Sequence, residues 1–208
     1  MAEKGYLPDI SVIVTCINKG RWVERCIRSI SHQREIGDHM LEVLVVDQDN
    51  DDHTREALEN MAIIGNVRIF SDYSGAAHLY TMEKIVRSTL GRYIMLVDAN
   101  DYLSRNCLNV MKIFLDMNRF HQAVAVDYLL VDIQENILER HSILDRDMMA
   151  GIMFRKESLL DGLETNSKML VAEVHHLRRH FEALYPIGHL EFPFYKRQTP
   201  GPTAAHRS

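Results

Sequence analysis

The first hundred residues alternate between short strand-like runs and amphipathic helical stretches, and this alternation constrains the fold more than any other feature. Between the runs, apolar residues recur at intervals of three and four, as amphipathic helices require. The four runs are Ile10 to Cys16, Leu41 to Asp47, Val67 to Phe70 and Tyr93 to Val97. Repeated strand–helix units predict a mostly parallel sheet flanked by helices on both faces, an α/β fold. Right-handed crossovers then bring the carboxyl ends of all four strands to one edge.

Acidic residues stand where two of these strands end. The segment "RYIMLVDANDYL" places Asp98 and Asp101 directly after the fourth strand, and Asp47 closes the second. Ligands of open α/β sheets bind outside the carboxyl ends of the strands, and carboxylates there suit Mg²⁺ or Mn²⁺. The alternative is that these acids only form turns, which Asp and Asn favour. Both interpretations stay open for Asp98, whereas the second acid-bearing strand end favours binding for Asp47.

The second half of the chain continues the pattern less regularly. An amphipathic helix begins near Leu108, a long β-type run begins near Ala123, and "MAGIMFRKESLL" predicts a strand leading into a helix. Val171 to Leu184 predicts a further helix. No Gly-, Pro- or Ser-rich linker divides the 208 residues, so we expect one domain over 1–197 and a disordered tail over 198–208.

Composition excludes several classes of protein. The three cysteines lack metal-ligand spacing and lie in apolar runs, which indicates small buried hydrophobes in a reducing, cytoplasmic setting. No apolar run approaches the roughly 18 residues of a membrane span. A formal net charge of −5 argues against nucleic acid as a partner. Peripheral contact with the inner face of a membrane stays open, because a local patch need not show in the total charge.

The first strand–helix turn, "TCINKGRW", narrows the ways of holding a nucleotide. It contains neither G-x-G-x-x-G nor G-x-x-x-x-G-K-[ST], the glycine-rich loops that bind phosphates through backbone amides. A nucleotide would therefore be held by side chains at the strand ends and by a metal ion.

Five segments in order resemble family 2 glycosyltransferases of the GT-A fold, over roughly residues 9–201. They are "ISVIVTCINKGRWVERCIRSISHQ", "LEVLVVDQDNDDHT", "LGRYIMLVDANDYL", "MAGIMFRKESLLDG" and "FYKRQTPG". The third is similar to the family strand that carries the D-x-D metal motif. Any one match is weakly specific, whereas the ordered set indicates a Rossmann-like GT-A sheet with a smaller acceptor-side β/α portion.

The resemblance implies an inverting transfer of a sugar from a nucleotide-diphosphate sugar, usually UDP-linked, to a glycan or lipid-linked acceptor. Residues 1–101 would be the nucleotide-binding half and 102–197 the acceptor-side half. Nucleotide contacts would come from Thr15, Asn18, Asp47 and Asp98, and metal contacts with Mn²⁺ or Mg²⁺ from Asp98, Asn100 and Asp101. A homodimer is a further open alternative.

Three segments depart from the family pattern. Asn100 replaces the second acid of D-x-D, and "HLYTM" replaces an arginine-bearing segment, for which Lys84 or Arg87 would have to compensate. The family's "ED" element, whose aspartate is commonly the base, corresponds to "VAEVHHLRR", with valine at the aspartate position. The candidate bases are then Glu173, His175 and His176, which the spacing also permits as a polar helix face.

These departures leave two other functions open. One is a catalytically reduced domain that binds a nucleotide sugar or a partner without efficient transfer. The other is a nucleotidyltransferase, which also uses carboxylate-held metal on an α/β sheet but normally has a richer phosphate loop after the first strand.

Overall fold

A computed structural model describes residues 7–47, 51–71, 78–145, 148–167 and 174–199, with side chains described except at 78–81, 166–167 and 174–176. The strands are β1 (Ile10–Cys16), β2 (Leu41–Asp47), β3 (Val67–Ser71), β4 (Tyr93–Asp98), β5 (Tyr102–Leu103), β6 (Ala123–Val131), β7 (Ile137–His141), β8 (Ile152–Arg155) and β9 (Ile187–Gln198). The helices are α1 (Gly20–Ser31), α2 (Asp52–Met61), α3 (His78–Ser88), α4 (Cys107–Met117), α5 (Lys156–Ser167) and α6 (Val174–Leu184).

One nine-stranded sheet organises the chain, in the order β3-β2-β1-β4-β8-β6-β9-β5, with β7 paired to β6. The first four strands are parallel, as predicted. β8 is antiparallel to both β4 and β6, so β6 runs in the direction of β4. β9 is parallel to β6, whereas β5 and β7 are antiparallel additions. The α/β class and the mostly parallel sheet are confirmed.

The strand order reverses beside β1. The chain runs outward from β1 through β2 to β3 and then returns to place β4 on the other side of β1. Right-handed crossovers therefore put α1 and α2 on one face and α3 on the other. A crevice opens at the carboxyl edge where neighbouring connections leave in opposite directions. In this chain that point lies between β1 and β4.

The core follows the apolar pattern of the sequence. β2 is buried along its whole length, and β1 and β4 are buried at all but one residue near the carboxyl end. The predicted apolar face of α1 is buried, namely Val23, Cys26, Ile27 and Ile30. All three cysteines are buried thiols. In the described ranges no helix is long and apolar enough to cross a membrane.

Two local details concern the ends of elements. Asp51 begins α2 as its N-cap, because its carboxylate accepts the Thr54 amide at 2.8 Å. Thr54 accepts the Gly20 amide through its hydroxyl and ties α2 to the start of α1. β9 extends through Gln198, one residue past the expected domain boundary, and the remainder of the predicted tail from residue 200 lies outside the described residues.

Candidate nucleotide-sugar site

Three predicted nucleotide-binding residues lie together at the carboxyl edge beside the strand reversal. Thr15 of β1 is level with Asp98 of β4, and Cys16 is level with Asp47 of β2. Neighbouring strands lie about 4.8 Å apart, so the backbones of Asp47 and Asp98 are roughly 10 Å apart across β1. Thr15 and Asp98 are partly exposed, and Asp47 is buried. The fold therefore brings Thr15, Asp47 and Asp98 to one crevice.

Asn18 is placed by a different mechanism, in the loop after β1. Its backbone has φ = 51°, a left-handed conformation that Asn tolerates better than most residues. Its side-chain carbonyl accepts the Asp51 amide at 2.8 Å. This bond joins the loop after β1 to the loop after β2, so Asn18 stabilises these two loops at the carboxyl edge of the sheet.

Asp98 begins a tight turn over residues 98–101. One carboxylate oxygen accepts the Asn100 amide at 2.9 Å. This is the turn-forming role that the turn preference of Asp and Asn suggested. The Ala99 amide donates to the Thr15 carbonyl at 3.0 Å and fixes the turn to β1. The other carboxylate oxygen of Asp98 has no hydrogen-bond partner in the described part of the chain. It remains available to a ligand.

Asp101 lies in a different environment, at 5% exposure. One carboxylate oxygen accepts the Tyr195 hydroxyl at 2.6 Å and the other accepts the Gln198 amide at 2.9 Å. Burial raises the pKa of Asp101 to about 6, although these two hydrogen bonds work in the opposite direction. Both oxygens thus have partners within the chain, and Asp101 connects the turn to β9.

Arg25 also stabilises the 98–101 turn. No sequence pattern distinguishes it from the other arginines of α1. Its guanidinium donates to the Asn100 carbonyl at 2.7 Å and to the Gln198 side chain at 3.0 Å. It also stacks over the Tyr102 ring, 4.2 Å from the ring centroid. The Asn100 backbone is therefore held, and only its side-chain amide is left for a ligand.

The acids and amides of the turn suit a divalent cation bridged by phosphates. In the described ranges no group of three or more His, Cys, Asp or Glu could hold a metal ion alone. Mg²⁺ sites commonly use one or two carboxylates and complete their coordination with substrate phosphates and water. Asp98, with a free carboxylate oxygen, and the Asn100 side-chain carbonyl fit such a set. Asp101 fits it less well, because both its oxygens are engaged.

The base candidates are the least defined part of the site. Glu173 lies outside the described residues. His175 and His176 lie in the first turn of α6, and their side chains lie outside the described ones. Of the two residues that would have to replace the missing family arginine, Arg87 is paired with Glu83 and Glu164 on the surface. Lys84 lies 5.7 Å from the centroid of the Phe70 ring.

A second polar group lies further along the same edge, and the sequence did not reveal it. Met95, Met153 and Val124 are level across β4, β8 and β6, so Asp127 is level with Asp98. Asp127 is buried and accepts His189 Nε2 at 2.8 Å. It also accepts Arg140 and the Ile143 amide, each at 3.3 Å. In the sequence, Asp127 stands out only as one acid inside an apolar run. Periodicity does not predict the pairing of β6 with β9, which brings His189 to it.

The sheet is mostly parallel and carries acids where its strand order reverses, as the GT-A fold requires. Residues 11–164 match the model of glycosyl transferase family 2, and the chain belongs to this family. The predicted family is thereby confirmed. No curated protein sequence matches the chain at a significant level.

Solved structures match the fold at low sequence identity. The S. aureus TarS 1–349 structure in complex with UDP-GlcNAc is 16% identical with a TM-score of 0.74, covering 96% of this chain and 62% of that chain. The same protein in complex with UDP gives a TM-score of 0.71 at 16% identity, covering 92% and 60%. The Pyrobaculum calidifontis mannosyltransferase PcManGT, with GDP-Man and Mn²⁺, is 17% identical with a TM-score of 0.68, covering 97% and 59%. The chain thus spans about three fifths of these proteins.

Proposed function

We propose that this chain transfers a sugar, with inversion, from a nucleotide-diphosphate sugar to a glycan or lipid-linked acceptor, with UDP as the favoured nucleotide. The observation that carries the proposal is the alignment of Thr15, Asp47 and Asp98 on three adjacent parallel strands at the switch point of a family 2 fold. Structures with the same fold hold UDP, UDP-GlcNAc and GDP-Man.

Each residue has a distinct role in this proposal. Asp47, buried at the end of β2, accepts hydrogen bonds from the nucleoside, with Thr15 beside it and Asn18 holding the loop. Asp98 and Asn100 face the diphosphate and hold Mn²⁺ or Mg²⁺, and Asp101 positions them by joining their turn to β9. The bound cation would stabilise the charge that develops on the leaving diphosphate.

The decisive experiment is a panel of nucleotide sugars tested with Mn²⁺ for hydrolysis and for thermal stabilisation. Turnover of one donor supports a transferase. Stabilisation by a donor without turnover favours the catalytically reduced binding domain, which the Asn100 and Val174 departures motivate. If no donor gives either turnover or stabilisation, both proposals are refuted.

The nucleoside role of Asp47 is tested with two ligands. Asp47→Ala should weaken UDP and free uridine alike, because the lost hydrogen bond to a charged group is worth about 1.5–3 kcal/mol, or tenfold or more in affinity. Calorimetric titration measures both ligands. Asp52→Ala is the matched control, since the Asp52 side chain is fully exposed near the same edge. Loss of UDP binding with uridine binding unchanged would reassign Asp47 to the diphosphate.

The base is proposed to come from the segment that precedes and begins α6, with Glu173 favoured over His175 and His176 because it matches an acid of the family motif. Glu173→Gln removes basicity but keeps size, so donor binding should survive while transfer falls by roughly 10²–10⁴-fold. Val174→Asp restores the family residue. If Val174→Asp raises turnover while Glu173→Gln changes nothing, Glu173 is not the base.

A further inference from the structure

A basic cleft lies along α1, on the side of that helix away from the core. Its volume is about 520 Å³, within the range of small-molecule sites. Its charged lining consists of Arg21, Glu24, Arg25, Arg28, His32 and Arg105. Four arginines thus converge with a single acid, in a chain whose net charge is −5.

The helix geometry explains why these side chains converge. Positions 21, 25, 28 and 32 are separated by four, three and four residues, so they share one face of α1. At 1.5 Å per residue they extend over roughly 16 Å of helix. Arg105, in the turn after β5, closes the cleft from the other side, and its backbone carbonyl accepts the Arg34 amide at 2.7 Å. The cationic groups along α1 thus form a row on one side of the cleft, and Arg105 lies on the other side.

The chain neutralises only part of this charge. Glu24 pairs with Arg28 at 2.7 Å, and both side chains are about half exposed. Arg25 meets the exposed Glu135 at 3.3 Å. Arg21 and Arg105 form no ion pair with any residue that the structure describes. Arg25 Nε is buried and lacks a hydrogen-bond partner in the same ranges.

Two of the guanidiniums are already held in place before any ligand binds. Arg21 and Arg25 lie over the Trp22 ring, 4.6 and 4.8 Å from its centroid. Arg25 is fixed further by its bonds to the Asn100 carbonyl and the Gln198 side chain. Fixed side chains lose less conformational freedom on binding, which favours affinity.

We propose that this cleft binds a small molecule that carries at least two phosphate groups. Guanidinium groups bind phosphate oxygens bidentately, and several in a row select for more than one phosphate. A concave cleft of this volume suits a compact polyphosphorylated ligand better than a flat membrane surface. The site differs from the proposed donor site, because α1 covers one face of the sheet whereas the donor residues lie at its edge.

The test is calorimetric titration of tripolyphosphate and of fructose 1,6-bisphosphate into the metal-free protein, in which the proposed donor site lacks the cation that would hold phosphates. The first probe has adjacent phosphates and the second has separated ones, so their ranking tells which spacing the cleft prefers. Either probe should bind, and inorganic phosphate should bind at least tenfold more weakly. Arg21→Glu and Arg105→Glu should each lower the affinity for the better probe by about tenfold or more.

Arg119→Glu is the matched control, because Arg119 is equally exposed but precedes β6 at the opposite edge of the sheet. Arg21 and Arg105 are surface residues, so their substitution should leave the circular dichroism spectrum unchanged. Equal losses in the control, equal affinity for inorganic phosphate, or no binding by either probe would overturn the proposal. These results are independent of donor turnover, so failure here leaves the transferase proposal standing, and the converse also holds.

Discussion

The two halves of the sheet end at the same edge in different ways. Among β1 to β4, Thr15 and Asp98 are partly exposed, and Asp98 keeps one carboxylate oxygen without a hydrogen-bond partner in the described ranges. Among β5 to β9, Asp127 and Tyr195 are buried, and their polar atoms bond to other parts of the chain. The edge formed by β1 to β4 therefore has hydrogen-bonding capacity for a ligand. The described polar groups of β5 to β9 instead stabilise the edge itself.

The difference explains why one turn contains two unlike acids. Asp98 and Asp101 are three residues apart, yet the first faces the crevice between β1 and β4 and the second faces β9. Substitution on the open side should change ligand binding with little change in stability. Substitution on the closed side should do the reverse.

The largest expected effect is on the open side. Asp98→Ala should weaken binding of UDP with Mn²⁺ by roughly tenfold to a hundredfold, because the cation that would bridge to the diphosphate loses a charged ligand. The free energy of unfolding should fall by about 1 kcal/mol or less, the contribution of the bond to the Asn100 amide. Calorimetry and urea unfolding measure the two. If neither the substitution nor a chelator changes UDP binding, the metal-site proposal is wrong.

The next effect is on the closed side, at Asp127. Burial opposes ionisation, but bonds from His189, the Ile143 amide and Arg140 outweigh it and lower the pKa of Asp127. A lowered pKa stabilises the fold above the ordinary carboxyl pKa of about 3.9, and this stability is lost as the pH falls through the lowered value. Asp127→Asn should therefore cost about 2 kcal/mol at pH 7. The difference from the unsubstituted chain should shrink only below about pH 4.

Urea unfolding at about pH 7, 5 and 3 checks this dependence. Glu139→Gln serves as the control on neighbouring β7, since its side chain is 64% exposed and should change stability little. UDP affinity should not change in either variant. A fall in UDP affinity with Asp127→Asn would mean that β6 and its partners also contribute to the proposed donor site.

The smallest effect concerns the link between Asp101 and β9. Tyr195→Phe removes the hydroxyl that donates to the buried Asp101 carboxylate, and should cost about 1.5 kcal/mol. Tyr185→Phe makes the same change where the hydroxyl donates to Asp161 near the surface, and should cost less than about 0.5 kcal/mol. Thermal unfolding of the two variants gives the comparison. Equal losses would show that burial of Asp101 adds nothing to the bond.

Periodicity predicted the first half of the fold well because its strands are buried and its helices are amphipathic. β1 and β2 have the predicted bounds, β3 and β4 each end one residue later than predicted, and the apolar face of α1 is buried. The second half was predicted less completely. β5 has two residues and β7 is mostly exposed, so neither has a strong apolar pattern. β9 contains Pro193, which argues against a strand, and its pairing with β6 shifts register between Val126 and Tyr128.

The site residues divide in the same way. Thr15, Asp47 and Asp98 could be placed because strand ends follow directly from strand assignments. The roles of Arg25 and Tyr195 could not, since they depend on contacts between residues 75 and 94 positions apart. The same limit applies to Asp101, whose engagement with β9 no local pattern reveals.

The hydrogen bonds between the 98–101 turn and β9 have a consequence for folding kinetics. Asp101 and Gln198 are 97 positions apart, and Arg25 and Gln198 are 173 apart, so closing these contacts requires large loops. Contacts of this separation form slowly and come late relative to local pairs. During synthesis, β1 to β4 emerge long before β9, and the turn that presents Asp98 acquires its native partners only when the last strand docks. On the proposed function, a nascent chain would become able to bind nucleotide late, and UDP should bind refolding molecules with a lag after the first four strands have formed.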